Sequence, residues 1–119
     1  MTFLRTLTIA ALVAICANAA GIEGKWTAEF DTQIGVQKYA YQFKIIEGKL
    51  TGTATGPQGT VAISEGKSSG DEIDFVENMQ FQGQALRIEY KGRLAGDQIN
   101  FTRKVADFAT EELVAERAK

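Results

Sequence analysis

The chain contains no histidine. That removes the Ser-His-Asp and Cys-His triads, most zinc sites and the commonest general base of enzymes. Its single cysteine, Cys16, lies in a stretch that reads as a leader, so the remaining chain has neither a disulfide nor a thiol for soft-metal chemistry. Positive charge is not in excess, with 13 lysines and arginines against 15 acids. A nucleic-acid binder would show a basic face, and an anionic membrane surface would attract one. The one proline, Pro57, sits in a Gly-Pro-Gln-Gly turn. The other glycines also read as turn residues, not as part of a strand, glycine loop and helix, which argues against a phosphate cradle.

The only sustained apolar run, Leu7 to Ile15, is interrupted by Thr8 and is short for a bilayer span. With Arg5 before it and Ala17-Asn18-Ala19 after it, the run fits a signal peptide over residues 1–19. Lipidation at Cys16 would need a small residue at the preceding position, which Ile15 occupies. Cleavage after Ala19 leaves a single domain, residues 20–119, exported to the periplasm or the outside and not inserted in a membrane. Loss of Arg5 lowers the basic count from 13 to 12 against 15 acids, a net charge of −3. A domain of this size without disulfides must be held by its core, which favours a closed sheet.

What is present is alternation. Trp26, Ala28 and Phe30 alternate with Lys25, Thr27, Glu29 and Asp31, the period of two of a half-buried strand. Further strands are expected at Val36–Ile46, Leu50–Thr55, Thr60–Lys67, Ile73–Met79, Leu86–Lys91 and Ile99–Arg103, separated by turns at Glu47-Gly48, Gly70-Asp71, Gln82-Gly83 and Gly96-Asp97. The pattern G-[KR]-x-x-G-D-[EQ]-I-[DN]-F occurs twice, at Gly66–Phe75 and Gly92–Phe101, and reads as two similar hairpins. The tail, Thr110 to Lys119, looks helical by propensity, with Thr110 as cap, and looks like a strand by alternation. The strand is the expectation, because an eighth would close a seven-stranded sheet. The fold class is therefore all-β, an antiparallel up-and-down barrel of about eight strands.

In that register Glu77 is the one carboxylate that points inward, between Phe75 and Met79, with Tyr39, Tyr41, Tyr90 and Arg103 as candidate partners. A slip of register near the strand end would instead leave it in solvent. Asn100-Phe101-Thr102 matches the glycosylation sequon by chance, inside a strand. Tyr39, Tyr41, Phe43, Phe75, Glu77, Tyr90 and Phe101 are expected to converge inside the barrel as candidate ligand-binding residues: aromatic walls with one acid. No facing pair of carboxylates suggests a glycosidase, and no catalytic, metal or cofactor site is expected.

Gly24-Lys25-Trp26 resembles the G-x-W that opens the first strand of lipocalin-like (calycin) barrels. In that family an arginine near the end of the last strand lies across the tryptophan and closes the barrel base. The resemblance assigns that place to Arg117 and makes Trp26 and Arg117 a structural closure. The chain is shorter than typical lipocalins and lacks their long first loop and the helix after the barrel. The leading functional expectation is non-catalytic binding of a small apolar or aromatic molecule. The alternatives are a filled barrel that meets a protein or glycan through its loops or outer face, and a hydrolase or isomerase using carboxylate and tyrosine. Cavity volume separates the first two.

Overall fold

The computed structural model describes residues 21–118; the expected leader, residues 1–19, its cleavage site and Cys16 lie outside them. Nine antiparallel strands follow one another: β1 (Gly24–Thr32), β2 (Gly35–Ile46), β3 (Lys49–Gly56), β4 (Gly59–Ala62), β5 (Ser64–Ser69), β6 (Glu72–Phe81), β7 (Gln84–Ala95), β8 (Gln98–Val105) and β9 (Ala109–Arg117). They form one sheet in the order β4-β3-β2-β1-β9-β8-β7-β6-β5. The tail is a strand, paired along its length with β8.

Among the described residues the count is nine and not about eight because the expected strand Thr60–Lys67 is two. Its first half pairs with β3 and its second with β6, and the break falls at Ile63. A bulge follows at once: Glu65 adopts a left-handed conformation (φ 52°) and the register shifts between Ser64 and Lys67. Such a bulge bends a strand and swings its two halves onto different neighbours. Arg87 holds the kink from outside, with both terminal nitrogens on the Glu65 carboxylate at 2.7 and 3.0 Å. Beyond the ladder, Ile63 N donates to Gly52 O at 3.0 Å, and Gly66 lies against the Leu50 carbonyl so closely that a Cβ would stand 2.1 Å from its oxygen.

Turn chemistry explains the hairpins. Glu47-Gly48 and Gln82-Gly83 both have positive φ at two successive residues, the requirement of a type I′ turn. The twice-occurring motif supplies Gly70-Asp71 between β5 and β6 and Gly96-Asp97 between β7 and β8, with positive φ at the glycine alone. Alternation then decides the two faces. On β1, Trp26, Ala28 and Phe30 are buried while their neighbours are exposed or half-buried; β2, β8 and β9 repeat the pattern. The sheet curls so that inner side chains of distant strands meet, as in the contact of Tyr41 on β2 with Phe75 on β6.

At one end, here called the base, the first described residues and the tail close on each other. Trp26 pairs with Arg117, and the Arg117 guanidinium lies 4.4 Å from the Trp26 ring centroid. Trp26 Nε1 donates to Ile22 O at 2.9 Å, and Arg117 donates to Gly21 O and to Asp97 of the second motif copy. The contact by which the tail meets β1 is short. Backbone partners are confined to Trp26–Arg117 and Thr27–Glu116, and the two strands part beyond them, toward the level where Phe30, Tyr39 and Arg103 fill the interior.

Candidate functional site

Strand β2 supplies the interior's aromatic column. Tyr39, Tyr41 and Phe43 follow one another on its inner face with centroids 5.7 and 5.8 Å apart. Phe75 and Tyr90, paired across β6 and β7, stack at 4.3 Å, and Phe101 meets both edge-on. Near the base this packing is continuous: Trp26, Tyr41, Phe43, Phe75, Ile99 and Phe101 are all buried.

Above it lies a polar cluster. The Glu77 carboxylate accepts hydrogen bonds from Tyr39 (3.1 Å) and Tyr90 (2.9 Å). Tyr41 and Tyr90 share a hydrogen bond through their hydroxyls. Arg103 donates through Nε to Tyr90, through Nη2 to Tyr39 and through Nη1 to Glu111 Oε1, and its Nη2 stands 3.9 Å from Glu77. The guanidinium also lies between 5.1 and 5.6 Å from the ring centroids of Phe30, Tyr39 and Tyr90. Among the described residues no buried side-chain nitrogen or oxygen is without a partner, as a buried cluster requires if it is to be tolerated.

Burial dominates the proton affinities here. It pushes the Tyr39 hydroxyl up to about 12, aided by the Glu77 charge. The same burial pushes Tyr41 and Tyr90 well above the usual tyrosine range. Burial works against the charge on Arg103, but the oxygens of Tyr90, Tyr39, Glu111 and Glu77 outweigh it, and the guanidinium is held charged.

The chain ends its hairpins at two opposite levels. Gln33-Ile34, Pro57-Gln58, Gln82-Gly83 and Ala106–Phe108 lie at the end away from Trp26, and between them opens a cleft of about 430 Å³. Its floor is Tyr39, Ile88, Arg103 and Glu111. Met79, Leu86 and Val105 form apolar walls, and Ile34, Phe81 and Phe108 line the mouth. Ile34 and Phe108 are 62% and 65% exposed, so the mouth presents apolar side chains to solvent. A second, broader concavity runs along the outer face where β1 and β9 part, with Glu29, Asp31, Glu112 and Glu116 on it. It is lined as well by the inward-facing Ala28, Phe30, Tyr39, Phe101 and Leu113, but Arg103 and Glu111 of the buried charged cluster line only the mouth cleft.

Of the residues singled out by sequence, the structure brings Tyr39, Tyr41, Glu77 and Tyr90 into one hydrogen-bonded network and packs Phe43, Phe75 and Phe101 around it. Tyr39 alone among these seven lines the mouth cleft. Glu77 is inside, as the register implies, 3% exposed, and both its oxygens are engaged. Arg103 entered the sequence reading as a partner for Glu77 and not as a site residue. Glu111 entered it only as part of the ambiguous tail, without a role. Its signal was available, since Glu111, Leu113, Ala115 and Arg117 share one face of an alternating strand. No protein-family model, curated protein or solved structure matches the chain.

Proposed function

We propose that this protein is an exported binding protein whose sheet forms a small lipocalin-like barrel, holding a small, largely apolar molecule in the cleft at its mouth. The observation that carries the reading is the cleft itself: about 430 Å³, apolar walls, and a floor of a few convergent polar groups. Ligand sites of this kind are concave, mostly apolar and oriented by a small number of polar contacts. Support for the barrel comes from Arg117 across Trp26 at one end and from the contacts of Ile63 with Gly52 and of Gly66 with Leu50, which bring the two ends of the strand order together. Export rests on the apolar leader with its small-x-small motif.

The aromatic column near the base is packed solid, so a ligand occupies the mouth and not the full depth. The test is titration with Nile red, a neutral apolar dye, whose fluorescence rises on leaving water. Saturable binding to residues 20–119 is expected, and Leu86→Trp, which fills the cleft, should abolish it. Dye binding that Leu86→Trp leaves unchanged would place the site elsewhere, and absence of binding would favour the filled interaction module.

A further inference from the structure

We propose that the cleft selects a ligand with a cationic, hydrogen-bond-donating head, a protonated amine on an apolar body, and that Glu111 is the residue that receives it. The inference rests on the binding function proposed above and names the chemistry of its ligand.

The floor of the cleft rests on a charged cluster with two carboxylates, Glu111 on the floor and Glu77 beneath it, against one guanidinium. Arg103 is poorly placed to hold an anion. Two carboxylates already face its charge, three of its five N–H groups donate to oxygens, and its plane lies among three aromatic rings. Glu77 is not free, since each of its oxygens accepts from a tyrosine.

Glu111 differs. Its side chain is 10% exposed, and its Oε1 is bound by Arg103. Its Oε2 has no hydrogen-bond donor among the described residues. Because no buried side-chain oxygen among the described residues lacks a partner, Oε2 is not sealed off, and Glu111 lines the cleft. The floor therefore offers one unfilled carboxylate acceptor, below the apolar walls of Met79, Leu86 and Val105. Burying an anionic head there would add to the surplus of negative charge, and a neutral apolar ligand would leave Oε2 desolvated and unpaired. An ammonium group satisfies the oxygen and balances the charge together. Fixed depth gives the ligand its orientation, with the head on Glu111 and the tail toward Phe81 and Phe108.

Three ligands of equal chain length separate the possibilities: octylammonium, 1-octanol and octanoate, each titrated calorimetrically at neutral pH. Octylammonium is expected to bind about tenfold or more tighter than the other two, the scale of one charge-assisted hydrogen bond. Glu111→Gln should reduce that preference to about threefold or less while 1-octanol affinity stays within the same range. If 1-octanol or octanoate binds the wild-type protein as tightly as octylammonium, the cationic preference is wrong and the binding function stands. If none of the three binds, the cleft is not a ligand site and both readings fall. The wild-type ranking decides the matter even if Glu111→Gln folds poorly. A preference that persists undiminished in folded Glu111→Gln overturns the role of Glu111.

Discussion

Tyr41 and Tyr90, 49 residues apart in the chain, share a 2.9 Å hydrogen bond in the middle of the interior, and Tyr90 passes the contact on to both Glu77 and Arg103. Every tyrosine of the chain belongs to this network. Burial raises Tyr39 to about 12 and pushes Tyr41 and Tyr90 well above the usual tyrosine range. An unfolded chain ionises its tyrosines near pH 10, so above that value the unfolded state sheds protons that the native state keeps. Stability is then expected to be full below about pH 10 and to fall as pH rises beyond it. In an alkaline titration the ultraviolet absorbance of tyrosinate should appear in the same transition as the loss of near-ultraviolet circular dichroism. Tyrosinate formed while the native spectrum persists would contradict the buried network.

Arg103 is the sole cation among the buried groups of the cluster. Arg103→Met should destabilise by about 3–5 kcal/mol, because it strands two carboxylates in a site built around a guanidinium. Adding Glu77→Gln and Glu111→Gln to Arg103→Met should recover a large part of that loss. Urea denaturation of the single and triple variants measures both. Equal stability of the two variants would mean that the carboxylates are not desolvated.

Gly92 faces Phe101 across β7 and β8, and the ring covers the glycine. A Cβ at position 92 would stand 2.4 Å from Phe101 Cδ1. Gly92→Ala is therefore expected to cost about 1–3 kcal/mol through overpacking. Phe101→Leu in the same chain should relieve part of the clash, so the double variant should lose less than the two single costs combined. Thermal midpoints of the four proteins test the coupling.

Arg117→Ala removes the guanidinium from the Trp26 ring and its hydrogen bonds to Asp97 and Gly21. The expected loss is about 1–2 kcal/mol, with Trp26 emission moving to the red as the ring meets water. Arg117→Lys keeps the charge but not the planar stack or the fork of donors, and should retain less than half of the contribution. A lysine variant as stable as the wild type would show that charge alone suffices.

Period-two alternation is a local property, and it made most of the fold legible. It located the strands of Trp26, Tyr41, Tyr90 and Phe101, set their inner faces and placed Glu77 and Arg103 inside. The glycine-containing turns were equally readable, because a positive φ demands a residue type. The tail was ambiguous by propensity and became a strand because β8 offers its edge to Ala109–Glu116, a long-range contact that no local window contains. For the same reason the break at Ile63 and the bulge at Glu65 were invisible: they follow from the need to reach β3 with one half of a segment and β6 with the other. The site divided in the same way. Sequence determined which side chains face inward, whereas tertiary packing decided that the aromatic column fills the base, that Tyr39 and Tyr90 saturate Glu77, and that Glu111 keeps one oxygen open at the mouth. Facing is set by the alternation of a strand with itself, but which inward groups find partners depends on strands brought together from far apart in the chain.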